Sequence, residues 1–382
     1  MPTKTNLTVT FFSNFLLHHQ TPFCEAMVRL LGDGFRFVAT EPVPAERLAL
    51  GYHDYTKASY AVNAYESPEA KEEALRLGRE SDVVIIGSAP DEYVRDRLAE
   101  NKLTFRYWER FFKNGRWHIL DPRVFLSCWK LHTRYRKKNL YMLCASAYTA
   151  PDCRFICAYP NKLYKWGYFP AVKAYDSIDG VLQNKKRNSI LWVGRMIDWK
   201  HPEAALKIAK RLYDEGYAFQ MNLVGTGAME SELESFVVQN GLSNRVHLLG
   251  AMPPEEVRRH MEESAIYLFT SDRGEGWGAV LNESMNSACA VVASGAIGSV
   301  PYLVKSGENG LIYRDGDLDD LYEKVKYLLD HPAERAAMGK AAYQTMTETW
   351  CADVAAERLL TLIEHLQTGK DTPYTDGPCS KD

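Results

Sequence analysis

Short apolar runs alternate with longer amphipathic stretches along almost the whole chain. LTVTFF (Leu7–Phe12), FRFVAT from Phe35, SDVVIIG from Ser81 and LYMLCAS from Leu140 are short and rich in Val, Ile, Leu and aromatic residues. Polar residues or Gly bound them, and they read as strands. PEAKEEALRLGRE after Ser67 has helical spacing. The alternation restarts at Ser189. SILWVGR and FQMNLVG read as strands, and HPEAALKIAKRLYDEG and AMESELESFVVQNG as helices. RVHLLG, PPEEVRRHMEES, AIYLFTS, VLNESMNSACA and AVVAS continue the series, and a final helical run reaches about Gln367. Near-continuous apolar strands separated by helices predict parallel sheets covered on both faces.

Between the two series, Tyr164 to Arg187 carries Gly, Pro and charges without a period and reads as a linker. The pattern therefore predicts an α/β chain of two doubly wound, Rossmann-like domains, over residues 1–175 and 176–349. Residues 368–382, polar with Pro and Gly, are expected to be a disordered tail. Doubly wound sheets take ligands at the carboxyl ends of their strands. The loops there are where chemistry is sought.

Composition changes this picture little. A length of 382 residues suits two domains, and 46% apolar with 25% charged residues is globular. Net charge is −3, which calls for no polyanionic partner. Locally, Glu100 to Leu140 holds eleven Lys/Arg against three Asp/Glu, interleaved with aromatics. That block suits either a solvated helical face or an anionic surface. Within it, residues 123–140 combine bulky apolar side chains with cations, as on an anionic membrane interface. No basic-plus-stacking motif stands on a nucleic-acid module, so no nucleic-acid partner is expected. The eight cysteines form no CxxC pair, which fits reduced thiols rather than a disulfide framework or zinc site. No signal peptide and no run of about 20 apolar residues is evident. The expected location is cytoplasmic, at most peripheral at the inner face of the membrane.

The residues suited to chemistry cluster in the second half. Gly194 ends a strand, and Arg195 and Lys200 follow before a helix opened by Pro202, a pairing suited to a diphosphate or to a solvated basic loop. Gly225 and Gly227 stand between strand and helix, where glycines permit either backbone contact with phosphate or a tight turn. Glu275 lies in a loop with Gly274, Gly276 and Gly278, and Glu283 follows about one turn into a helix starting near Gly278. Paired carboxylates accept hydrogen bonds from sugar hydroxyls; near a helix start they also serve as caps. In the first half, His18, His19 and Gln20 follow the first strand, and Arg106 and Glu109 lie in TFRYWER, where Glu109 also suits an ion pair with Arg106 or Arg110. Asp315-Gly316-Asp317 reads as a turn and helix cap rather than a metal-binding DxD.

VGRMIDWK, LVGTG, VHLLGAMPPEEV, EGWGAVLNE, VVASGAIGSVPYLV and SGENGLIYRDGD occur in this order between Ile190 and Leu366. In this the chain resembles the family-four retaining glycosyltransferases, the glycogen-synthase-like superfamily with the GT-B fold. HHQ, TFRYWERFFKNG, LCASAYTAPD and YKWGYFP resemble its bacterial surface-polysaccharide subgroup. The resemblance implies two Rossmann-like domains facing across a cleft, with a helix at 350–367 crossing back to the first. It implies a nucleotide-sugar donor, UDP-linked in most of the family, and a glycan or lipid-linked acceptor. Arg195 and Lys200, with Gly225 and Gly227, would hold the diphosphate, and Glu283 the ribose. Glu275 and the Gly276–Trp277–Gly278 backbone would hold the transferred sugar, with the base beside Ala251 and Met252. His18 or His19 would join Glu275 at the reacting centre, and Gln20, Arg106 and Glu109 would face the acceptor. No cofactor or obligatory metal is implied, and the anomeric configuration is retained. The alternatives are a nucleotide-sugar epimerase of the same fold and a non-catalytic sugar-nucleotide-binding partner subunit.

Overall fold

The computed structural model describes residues 7–45 and 55–382. The chain divides into two units, Met1–Ala171 with Cys351–Asp382, and Val172–Trp350.

The first unit is built on seven strands: β1 (Val9–Ser13), β2 (Phe35–Ala39), β3 (Ala61–Asn63), β4 (Val83–Ile86), β5 (Thr104–Trp108), β6 (Leu140–Cys144) and β7 (Leu163–Lys165). They pair in the order β3-β2-β1-β4-β5-β6-β7, all parallel. Phe11 sits opposite Phe37 on one side and Ile85 on the other, so the central strands bury both faces. The helix Pro68–Glu80 begins where expected, with Ser67 Oγ accepting from Ala70 N at 3.1 Å.

The second unit has six strands: β8 (Lys186–Val193), β9 (Gln220–Val224), β10 (Val246–Leu248), β11 (Ser264–Phe269), β12 (Ala290–Ser294) and β13 (Leu311–Tyr313). Their order is β10-β9-β8-β11-β12-β13, again parallel. Ile190, Ile266 and Ala290 stand in register across the middle, and Trp192, Leu268 and Val292 fill the core beside them. Read within each unit, the leading six strands follow the order 3-2-1-4-5-6 of dinucleotide-binding sheets.

The alternation left β3, β7 and β13 unread. Each has three residues, too few for a period, and each closes a sheet edge. The supposed linker is more ordered than its composition suggests. It holds part of β7 and a helix, Ile178–Gln183, capped by Ser177 Oγ from Gly180 N at 3.1 Å. The last long helix, Ala352–Gln367, packs on Thr21–Leu31 in the first unit, with an Arg29–Asp353 ion pair between them.

The tail is a correction. Residues expected to be disordered run antiparallel along β7, with Lys165 N donating to Ser380 O and Cys379 N to Lys165 O, both at 2.8 Å. Cys379 and Ser380 are fully buried. An edge strand leaves a row of backbone groups unmade, and the tail satisfies them. Two small buried residues in a polar stretch were too faint a signal to reveal it.

Candidate functional site

In each sheet the strand order reverses once, between β1 and β4 in the first unit and between β8 and β11 in the second. At such a switch point the two flanking loops diverge and leave a crevice at the carboxyl ends. The loops after β8 and β11 are those carrying Arg195, Lys200 and Glu275.

These two loops are fastened to one another. Trp192 Nε1 donates to Thr270 Oγ1 at 2.8 Å, and Thr270 Oγ1 donates to Lys200 O at 2.8 Å. Asp272 N donates to Trp199 O at 3.0 Å. The Lys200 ammonium consequently meets the Glu275 carboxylate in an ion pair, with both side chains only 13% and 12% exposed. Ser271 Oγ donates to the same carboxylate at 3.2 Å. Lys200 also lies over the Trp199 ring, 4.6 Å from its centroid, while Arg195 is exposed at 5.8 Å from that ring.

Gly225 and Gly227 have a packing role in this loop system. A Cβ at Gly225 would stand 1.9 Å from Gly194 O, and one at Gly227 2.3 Å from Met196 O. Their absent side chains let the loop after β9 cross the loop after β8, where Met196 N donates to Thr226 O at 2.9 Å. Close backbone passage is thus a third reason for glycine here, beside the phosphate contact and the tight turn.

Glu283 lies in the first turn of the helix Val280–Asn286. Burial raises its carboxyl pKa, and the Arg258 charge pulls the other way. Arg258 reaches from the helix Pro254–Glu263 to donate to Glu283 O at 3.1 Å and Asn286 Oδ1 at 3.0 Å. Together Lys173, Pro254, Glu255, Arg258, Glu262 and Glu283 line a cavity of 330 Å³. Ala251 and Met252 lie just before this wall, Ala251 exposed and Met252 half-buried. Tyr267 on β11 donates its hydroxyl to Val193 O at 3.4 Å. Burial pushes its hydroxyl far above the usual range, and the Glu283 and Glu275 charges push it the same way. Neither Tyr267 nor Arg258 was singled out in the sequence. One reads as a core strand position and the other as one cation on a charged helix.

The Gly276–Gly278 stretch divides. Gly278 has φ +81°, and a Cβ there would stand 2.3 Å from the Phe269 ring, so glycine is required. The Trp277 side chain, in contrast, is core. It is 1% exposed, donates to Asn282 Oδ1 at 2.9 Å and packs on Tyr302 and Trp350. Only its backbone can meet a sugar. Asp317 caps the following helix by accepting from Asp320 N at 3.0 Å, after Gly316 at φ +74°. Among the described residues, no group of three or more His, Cys, Asp or Glu is placed to hold a metal.

In the first unit, His18 and His19 sit in the loop after β1, at that sheet's switch point. Their rings meet edge to face at 5.3 Å, and His19 stacks on Tyr168 at 4.5 Å. Tyr168 OH donates to Glu109 at 2.6 Å, which links β1 and β5 ends through a tyrosine the sequence reading passed over. Glu109 is ion-paired with Lys113 at 2.9 Å, and Arg106 with Asp91. Two acceptor-side residues are corrected. Arg106 is 2% exposed and paired with Asp91 at 2.8 Å, and Gln20 is buried with its amide bonded to Leu17 N and Ser13 Oγ. Both hold their loops. A larger cavity, 760 Å³, is lined by Arg136, Arg154, Asn161 and Lys381 near the amino ends of β6 and β7, away from the switch points.

Residues 176–345 match the family model described as glycosyl transferases group 1. Uncharacterized glycosyltransferase MJ1178 of Methanocaldococcus jannaschii is 30% identical over 150 residues, 39% of this chain and 40% of that one. Amylovoran biosynthesis glycosyltransferase AmsK of Erwinia amylovora is 26% identical over 182 residues, 46% of this chain and 44% of its own. The chain thus spans under half the length of these curated relatives. The solved structure of Anabaena HepE in complex with UDP matches 94% of this chain and 100% of its own, at TM-score 0.68 and 13% identity. Sucrose-phosphate synthase from Thermosynechococcus elongatus matches 95% and 100%, at TM-score 0.64 and 16% identity. These likenesses are of fold, two Rossmann-like units of the GT-B class. Residues 176–345, which hold the ion-paired switch-point loops and Glu283, belong to the glycosyl transferases group 1.

Proposed function

We propose that this protein moves a hexose or N-acetylhexosamine from a UDP-linked donor to a glycan or lipid-linked acceptor in cell-surface polysaccharide synthesis. The observation that carries the reading is the Lys200–Glu275 ion pair between the loops at the carboxyl ends of β8 and β11. A nucleotide sugar has a charged diphosphate flanked by two polyhydroxyl rings. Arg195 and Lys200 supply the cations, Glu283 the ribose acceptor, and Glu275 with the Gly276–Gly278 backbone the sugar contacts. The base lies toward Ala251, Met252 and the cavity walled by Arg258. The fold likeness to a structure solved with UDP supports the choice of nucleotide, and the amylovoran relative supports the polymer class.

In the transfer, the bond from anomeric carbon to diphosphate oxygen breaks as the acceptor oxygen bonds to the same face, so configuration is retained. The leaving diphosphate is neutralised by Arg195 and Lys200, and the mechanism calls for no metal and no cofactor. The acceptor proton passes to the leaving phosphate oxygen. His19, braced by Tyr168 and Glu109, stands on the acceptor side of the proposal.

A thermal-shift screen of UDP- and GDP-sugars tests the reading, because a ligand bound only by the folded state stabilises it. The expected result is stabilisation by UDP and one UDP-sugar, abolished in Glu283→Ala. No shift with any nucleotide sugar overturns it. Conversion of the donor to its epimer without acceptor overturns the transfer step.

A further inference from the structure

Between Arg116 and Leu131 the first unit carries a short turn and a helix, Pro122–Leu131, that buries none of its ten residues. Asp121 starts the helix by accepting from Arg123 N at 2.9 Å, with Pro122 at the first position. Local signals thus make it a helix, half-buried at Val124, Cys128 and Leu131, and that side does not account for the apolar residues on the rest of its surface. Trp117, Leu120, Phe125, Leu126 and Trp129 are 67%, 81%, 53%, 48% and 47% exposed. Five of the eleven exposed large apolar side chains among the described residues therefore fall within thirteen positions. Scattered exposed apolar residues are ordinary; a concentration of this kind marks a contact surface.

The charge around the patch selects the partner. From Arg116 to Lys138 the sequence holds seven Lys/Arg and one acid, Asp121, which Arg123 already pairs at 2.9 Å. Arg123, Lys130, Arg134, Arg136 and Lys137 are exposed. A second copy of this chain on the same patch would set these cations against their own kind. An anionic bilayer surface satisfies both components at once, with phosphates for the cations and the acyl boundary for Trp, Phe and Leu. A ten-residue helix is about 15 Å long, so it lies in the interface and does not cross it. No helix among the described residues is long and apolar enough to span a membrane.

We infer that Arg116–Leu131 is an interfacial membrane-binding element, with Trp117, Leu120, Phe125, Leu126 and Trp129 entering the acyl boundary and the cations of 123–138 taking lipid phosphates. This extends the proposed function: it rests on the lipid-linked form of the acceptor. The helix also walls a 480 Å³ groove whose other side, Trp108 and Phe111, begins at the end of β5, next to Glu109. Membrane docking therefore sits beside the acceptor end of the first unit.

The test is sedimentation of the full chain with vesicles of phosphatidylglycerol and phosphatidylcholine, compared with phosphatidylcholine alone, at low and high salt. The expected result is binding to the anionic vesicles that weakens with salt. In the triple variant Phe125→Ser, Leu126→Ser, Trp129→Ser, which keeps every charge, binding falls by roughly tenfold or more. Arg134→Gln, Arg136→Gln, Lys137→Gln lowers it by a similar factor. Both variants keep the wild-type melting temperature and the UDP thermal shift, which separates this inference from the donor reading. No sedimentation at low salt overturns the inference. So does unchanged binding of the apolar triple, or self-association in ultracentrifugation that the triple abolishes.

Discussion

Lys200 and Glu275 form an ion pair across the β8–β11 switch point, each side chain about seven-eighths shielded from water. A diphosphate arriving at Lys200 must therefore share the ammonium with a carboxylate already on it. Glu275→Gln frees Lys200, so UDP is expected to bind as tightly as in the wild type, or tighter, while transfer falls. Lys200→Ala weakens UDP binding and lowers turnover by about 10²–10³-fold, the usual loss for one preorganised charge. Calorimetric UDP affinity and initial rates on both variants separate these effects. Weaker UDP binding in Glu275→Gln contradicts the competition.

Glu283 should trade stability for ligand. Burial raises its carboxyl pKa, so the folded state holds the proton to higher pH than the unfolded chain. Stability contributed by this group then falls as pH rises from the ordinary carboxylate value, about 4.3, through the raised one. Glu283→Gln removes the titration. Its melting temperature is expected to exceed the wild type at neutral pH and to converge with it in acid, while UDP-sugar binding is lost. A variant less stable than wild type at neutral pH disproves the account.

His201 has the same direction of pH dependence from a different cause, a gained ion pair in place of a buried carboxylate. It occupies a left-handed conformation, φ +48°, at the start of the helix Pro202–Asp214, with Glu203 at 2.9 Å and Asp272 at 3.6 Å. The Glu203 hydrogen bond raises its pKa against the pull of desolvation, and the charges of Glu203, Asp272 and Asp315 add to the rise. Its contribution is whole below the ordinary histidine value of about 6.5 and is lost as pH climbs through the raised one. Asn tolerates this backbone region, so His201→Asn keeps the turn and removes the charge. Melting curves across neutral pH should lose part of their downward slope in the variant.

The positions of the loops that carry the site candidates were legible in the sequence. Arg195, Lys200 and Glu275 stand in loops after apolar strands, and sheet topology alone brings such loops together. Glu283 was legible for a similar reason, one helical turn past a glycine that must adopt φ +81°. Residues whose role depends on distant partners were not. Trp277 looked like part of the sugar loop because nothing local announces that Tyr302 and Trp350 close over it. Arg106 looked available because Asp91, its partner, is fifteen positions away on another loop. Tyr168 joins His19 to Glu109 from a stretch with no period at all.

Lys185 is a further residue of this second kind, and it supports the helices that carry the site. Its ammonium donates to Met261 O at 3.1 Å, Ser264 O at 2.7 Å and Ser287 O at 2.9 Å, with Glu262 O at 3.3 Å. Those carbonyls close the carboxyl ends of the helices Pro254–Glu263 and Val280–Asn286, which hold Arg258 and Glu283. A cation there opposes the negative end of both helix dipoles. Lys185→Met keeps the stem and leaves the acceptors unmade, at about 1–3 kcal/mol for each one that stays buried. The expected result is a melting temperature lowered by several degrees and a higher KM for the UDP-sugar. kcat at saturating donor stays near the wild-type value, because Lys200 and Glu275 are untouched. A fall in kcat with unchanged KM would place Lys185 in the chemistry rather than beneath it.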